Sequence, residues 1–214
     1  MKKTRPFPWL QIAVHVIGWL PLAKIILDFA TNNLTINPIQ EIEQRLGRIA
    51  VYFLVATLTV TPFYTVTGRG AVLPRRRALG LYSFFYASLH ILIFLGLDYG
   101  FNFSQIFPLL IGKLYLIVGV LAFSLLLPLA VTSFDYFIRR MGRNWKRLHW
   151  LIYPAGLVVI LHYALSLKGD LFRLRGNITQ PLIWGLVILL LLVLRLSPVR
   201  RWISSTRRKV FSHH

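Results

Sequence analysis

The sequence predicts an all-α membrane protein, a six-transmembrane-helix bundle with both termini cytoplasmic. Three observations lead there. Of the 214 residues 56% are hydrophobic and only 14% charged, against about 25% charged in soluble domains, and the mean hydropathy is +0.62. Six apolar segments approach the ~20 residues that cross a bilayer. The 25 Lys plus Arg, against 6 Asp plus Glu, gather in alternate loops instead of covering one soluble face.

The segments run over residues 8–27, 47–64, 79–97, 111–133, 148–167 and 181–196. The first is long, and no small-residue cleavage site follows it, so it is read as a span and not as a signal peptide. The next four are continuous apolar runs, unlike the alternating segments of ~10 residues in a membrane barrel. The sixth is short but almost purely Leu, Ile and Val. No internal repeat or low-complexity stretch is read. The chain is taken as one domain, 1–214, with a core over about 8–196 and a basic cytoplasmic tail over 197–214.

Orientation follows from the charges. Lys2, Lys3 and Arg5 precede the first segment, and Arg69, Arg75, Arg76 and Arg77 follow the second. Arg139, Arg140, Arg143, Lys146 and Arg147 follow the fourth, and Arg200, Arg201, Arg207, Arg208 and Lys209 close the chain. These are 17 of the 25 basic residues. Seven others (Lys24, Arg45, Arg48, Lys113, Lys168, Arg173 and Arg175) fall on the far side, and Arg195 ends the sixth segment. Positive loops stay in the cytoplasm, where anionic membrane lipids are their ordinary partners.

Composition also excludes chemistry. A net charge of +19 suggests a polyanion, but a nucleic-acid binder would spread its basic residues over a soluble face; here long stretches carry no charge. No cysteine is present, which removes thiolate metal sites, iron–sulfur clusters, covalent CxxCH haem and disulfides. Six acidic residues give little support to a paired-carboxylate hydrolase.

Histidines remain. His15, His90, His149 and His162 lie in or beside the spans; His213 and His214, a natural tail or a tag remnant, are set aside. The ordinary role of one membrane histidine is to bond a neighbouring helix. Depth singles out two of them. His90 stands 13 residues past Arg77 and His162 15 past Arg147, about 20 and 22 Å along their helices. The third and fifth helices run in the same direction, so both imidazoles reach one level in the outer half of the bilayer. Two facing neutral imidazoles are what a six-coordinate haem iron needs. His149 lies near the cytoplasmic surface. His15 lies near mid-membrane, as a structural or haem-propionate-facing residue. His149 and His162 are about 140° apart on an ideal helix, with Pro154 between them. The third helix has Arg77 where a second histidine would stand, and arginine cannot ligate iron at physiological pH. Other readings of the pair are a small transporter or proton-relay module, or interhelical bonding alone.

The run Trp145-Lys146-Arg147-Leu148-His149, with Tyr153 and His162-Tyr163 after it, resembles the ferric-reductase-like transmembrane domain family. Asn37-Pro38, Gly47-Arg48, Thr57-Leu58, Thr61-Pro62, Arg76-Arg77, Leu79-Gly80-Leu81, Leu89-His90 and Thr132-Ser133 fit the same pattern, in order, over roughly residues 10 to 195. Within that family it more closely resembles the small bacterial branch that serves periplasmic methionine sulfoxide reductase systems.

The resemblance implies an inner-membrane electron carrier holding haem b. Electrons would come from a cytoplasmic NAD(P)H-flavin reductase, through flavin mononucleotide (FMN), or from the quinone pool. They would pass to a periplasmic molybdopterin-containing methionine sulfoxide reductase. Carried over, His90 and His162 ligate the iron, and His149 serves a second haem or lies close to the flavin. Larger ferric reductases and NADPH oxidases use two histidines on each of two helices; the third helix here departs from that. About 18 residues follow the sixth segment and no GxGxxG is present, so electrons are expected from a separate protein or carrier.

Topology and lipid headgroups already account for the basic loops. In the implied function Arg75, Arg76, Arg77, Arg143 and Arg147 would also hold a flavin phosphate or a propionate, bidentately. Trp145, Trp150 and Tyr153 suit stacking on isoalloxazine, and equally suit a membrane interface. Outside, Glu41, Glu43, Arg45, Asp170, Arg173 and Arg175 are candidates for docking a partner, or plain solvated loop.

Overall fold

The structure is a computed structural model that describes residues 8–167, 169–170, 175–176 and 179–211. Lys2, Lys3, Arg5, Lys168, Arg173, His213 and His214 lie outside the described residues, as do the side chains of Asp170, Arg175, Arg208 and Lys209.

Helix α1 (Pro8–Ala30) is followed by α2 (Pro38–Thr67). The second span therefore begins well before residue 47. Asn37 accepts from Gln40 N at 3.3 Å, Pro38 opens the first turn, and Gly68 closes the helix at φ 73° with its N–H on Tyr64 O. Those caps carry the helix through polar Glu41, Glu43 and Arg45, where hydropathy alone sees no span. Helix α3 (Arg75–Ile93) ends in a π-turn, Phe94–Asp98. A short apolar helix α4 (Phe103–Gly112), which falls mostly between two of the predicted segments, precedes α5 (Leu114–Val131).

At the basic end come α6 (Asp135–Met141) and α7 (Arg143–Leu148). A 3₁₀ turn, His149–Leu151, leads into α8 (Ile152–Ser166). A two-residue antiparallel pairing, Gly169↔Gly176 and Asp170↔Arg175, links α8 to α9 (Thr179–Val193). The segment read as a tail folds as α10 (Ser197–Phe211), bent 73° from α9. Five helices are long and apolar enough to cross a membrane, or six if α9 and the bent segment after it are counted as one span.

Helix α2 is the hub. Its Val51, Leu54, Val55 and Leu58 pack with Leu126, Leu129, Ala155, Ile188 and Leu191 of α5, α8 and α9. Its Leu46, Ala50 and Phe53 pack with Ile25, Tyr82 and Tyr86 of α1 and α3. Large apolar side chains such as Leu20, Leu121 and Leu186 point outward, as they do in a lipid solvent. The Tyr86 hydroxyl enters the ladder of α1: it donates to Gly18 O at 2.6 Å and accepts from Leu22 N at 3.2 Å.

Pro62 inside α2 has no N–H, which leaves Leu58 O without its helical donor. Arg195, which the charge count assigns to neither side, supplies it. Its Nη2 donates to Leu58 O at 3.0 Å, and to Thr57 O and Thr61 Oγ1 at 3.3 Å. An unpaired carbonyl in a bilayer interior costs several kcal/mol by transfer estimates, so α9 is tied to α2 by this one guanidinium. Arg195→Met should lower the thermal midpoint in detergent, by a loss of about 1–3 kcal/mol. Pro62→Ala, which restores the N–H, should recover most of that loss in the double variant. Absence of recovery would show that the cost lies elsewhere.

Candidate functional site

His90 sits in the last turn of α3, and its Nδ1 is 2.9 Å from Glu43 O on α2. His162 sits on α8, with Nδ1 2.8 Å from Tyr115 O on α5. A carbonyl can only accept, so each Nδ1 carries the proton and each Nε2 keeps its lone pair. The two rings face each other with centroids 6.3 Å apart and planes at 72°. Neither Nε2 has a hydrogen-bond partner among the described residues.

Each ring reaches its carbonyl by lying over a glycine. A Cβ on Gly119 would stand 2.7 Å from His162 Cε1, closer than real contacts allow, and one on Gly47 3.3 Å from His90 Nδ1. Glu43, Gly47 and His90 match Tyr115, Gly119 and His162, each displaced by 72 residues, and both histidines stand 47 residues after their acceptor. The hairpins α2–α3 and α5–α8 thus present one constellation twice. Glycine and histidine recur in it at the same spacing, a recurrence that the sequence reading does not register.

The pair suits a metal that brings its own equatorial ligands. Among the described residues no group of three or more His, Asp or Glu could hold a bare ion. Two metal–imidazole bonds of about 2.0–2.1 Å, plus about one ring radius on each side, span about 6 Å, close to the 6.3 Å centroid separation. That separation is of the size an iron held between the two imidazoles would need, and His90 and His162 are the residues that would hold it.

The other predicted residues separate. His149 is stacked on the Trp145 indole, centroids 3.9 Å apart, with Nδ1 3.0 Å from Trp145 O; Trp145 Nε1 in turn donates to Thr132 O at 2.8 Å. No second imidazole is brought opposite it among the described residues. Arg77, its counterpart in the 72-residue match, is ion-paired with Asp135. Arg75 is buried, Arg76 lies 3.5 Å from Thr61 Oγ1, and Arg147 is exposed. His15 is satisfied within the bundle: Gln11 Nε2 donates to its Nε2 at 3.1 Å, and its Nδ1 donates to Tyr82 OH at 2.9 Å. That is the structural option of the sequence reading. At the far end Glu41 and Arg45 belong to one ion-pair network with Asp28 and Lys24.

Residues 46–160 match the family described as ferric reductase like transmembrane component. Three relatives bear the name protein-methionine-sulfoxide reductase heme-binding subunit MsrQ. One from Rhodospirillum rubrum is 40% identical over 192 residues, 89% of each chain. One from Xanthomonas euvesicatoria pv. vesicatoria is 42% identical over 164 residues, 74% of this chain and 75% of its own. One from Xanthomonas campestris pv. campestris is 37% identical over 210 residues, 95% of this chain and 91% of its own.

Gly119→Ala should force the His162 ring off its carbonyl, an overpacking cost of about 1–3 kcal/mol, and strip most of the haem from the purified chain. Gly47→Ala, with the longer approach, should retain more. A pyridine haemochrome assay per mole of chain makes the comparison; equal retention in the two variants would remove the glycines from the site.

Proposed function

The chain belongs to the ferric reductase-like transmembrane family, among its MsrQ haem-binding subunits, and on that premise we propose that it carries electrons across the bacterial inner membrane to a periplasmic molybdopterin-containing methionine sulfoxide reductase. The donor in this reading is a cytoplasmic flavin reductase working through FMN, or the quinone pool. The observation that carries it is the neighbouring pair His90 and His162, ring centroids 6.3 Å apart, each with Nδ1 on a backbone carbonyl and so with a lone pair left on Nε2. With no cysteine in the chain, the porphyrin is held without covalent attachment, as haem b.

Bound haem supplies one-electron exchange at its iron. The protein does the rest. Glu43 O and Tyr115 O orient the two rings and strengthen their Nε2 donors. The surrounding apolar helices exclude water, and that burial tunes the potential. No nucleophile or general base is asked of this chain.

Direction follows from the charges. The loops rich in arginine share one end: Arg77 reaches Asp135, and Arg207 reaches the C-terminus of α2. That end is cytoplasmic by the positive-inside rule, which sets both termini inside and the His90–His162 pair toward the periplasm. Arg75, Arg76, Arg77 and Arg147 stand at that end as the candidates for the FMN phosphate, with FMN read as a donor meeting the cytoplasmic face. His149, about 20 Å from the level of His162 along the axis, serves there as ligand of a second haem or beside the flavin.

The purified protein should be red, with a b-type reduced-minus-oxidised spectrum. His90→Ala and His162→Ala should each abolish its low-spin bands, while His149→Ala should leave that pair's signal in place. Loss in His149→Ala alone would overturn the ligand assignment. Orientation is tested in the same cysteine-free background. An impermeant maleimide applied to spheroplasts should label Ser104→Cys and spare Lys146→Cys; the reverse pattern would invert the bundle.

A further inference from the structure

A cavity of ≈ 510 Å³ opens at the basic end, where α10 crosses beneath α2 and the start of α3; Arg76, Arg200, Arg207, Tyr64, Thr65 and Ser204 line it. Arg200, Ser204 and Arg207 stand at i, i+4 and i+7 of α10, one stripe of the helix. Small Ser204 between the two long side chains leaves the hollow. Arg207 Nη1 donates to Tyr64 O at 3.0 Å and Thr65 O at 2.9 Å, the last carbonyls of α2, which fastens α10 in place. Arg76 comes from α3, 3.5 Å from Thr61 Oγ1. The Arg200 guanidinium has no hydrogen-bond or ion-pair partner among the described residues.

No acidic residue lines this cavity. The ion pairs among the described residues lie elsewhere, at Asp28, Glu41 and Asp135. Three guanidinium groups are thus held around one space with no carboxylate to balance them. Guanidinium forks match phosphate oxygens bidentately. The depth of the site names the source of that phosphate. Helix α10 turns 73° from α9 and exposes Trp202 at 70%, on an amphipathic basic helix of the kind that lies in a membrane interface. The anion present at that level is a lipid headgroup. Net cationic lining favours a headgroup without an ammonium of its own.

We propose that Arg76, Arg200 and Arg207 bind the headgroup phosphate of one anionic phospholipid, which holds the amphipathic α10 against α2 and α3. The site is independent of the haem reading and lies at the opposite end of the spans from His90 and His162.

The test uses the full chain, purified and exchanged through vesicles of phosphatidylcholine with or without phosphatidylglycerol, with bound lipid counted by native mass spectrometry. The wild type should retain one phosphatidylglycerol in preference to phosphatidylcholine. Arg200→Gln, which breaks no contact described within the protein, should retain it about fivefold less well, with haem content unchanged. Ser204→Glu, which places a carboxylate among the arginines, should abolish the preference. Excess inorganic phosphate or FMN should leave the bound lipid in place. Equal retention in wild type and Arg200→Gln would overturn the proposal. So would FMN binding that is lost in Arg200→Gln while phosphatidylglycerol is unaffected.

Discussion

An imidazole inside a bilayer has a proton to place and no water to take it. In this chain that proton goes to a backbone carbonyl, from His90 to Glu43 O and from His162 to Tyr115 O. Much else follows from those two bonds. They require glycine beneath each ring, at positions 47 and 119. They require α2 to start early enough to offer residue 43, which the Asn37 cap secures. They also fix the tautomer, so that both Nε2 atoms keep a lone pair. An apolar interior tolerates such a polar pair because every hydrogen is accounted for.

The same economy recurs wherever α2 meets its neighbours. Pro62 interrupts its ladder and Arg195 repairs it from the turn after α9. Its final carbonyls are taken by Arg207 from α10, and Ser83 of α3 donates to Ala50 O at 2.8 Å. With little hydrophobic force between helices in lipid, polar contacts of this kind, added to close packing around Leu54 and Leu58, decide which helices adjoin. The hub then orients both hairpins, and with them both imidazoles.

Much of this was legible in the sequence. Span number and the common depth of His90 and His162 come from hydropathy and a fixed rise per residue, both one-dimensional quantities. What escaped depends on rotation and on the backbone. Carbonyl acceptors such as Glu43 O and Tyr115 O have no side-chain signature. The matched 47-residue spacings were the available sign, but only once the acceptors are known. Helix α4 was too short to register as a span. Helix α10 was read as a tail because its arginines dominate, although Val199, Ile203 and Arg207 recur on one face. Arg75, Arg76 and Arg77 are neighbours in sequence, but consecutive residues on a first helical turn point about 100° apart: Arg77 pairs with Asp135 and Arg76 approaches Thr61 Oγ1.

The central claim is that one iron lies between His90 and His162. Their planes cross at 72°, so an iron held by both rings would meet them in crossed orientation and would keep its two dπ orbitals nearly equal in energy. Electron paramagnetic resonance of the ferric protein tests this directly. The account predicts a strongly anisotropic low-spin signal that disappears in His90→Ala and again in His162→Ala. A ferric protein whose low-spin signal survives either substitution would contradict it.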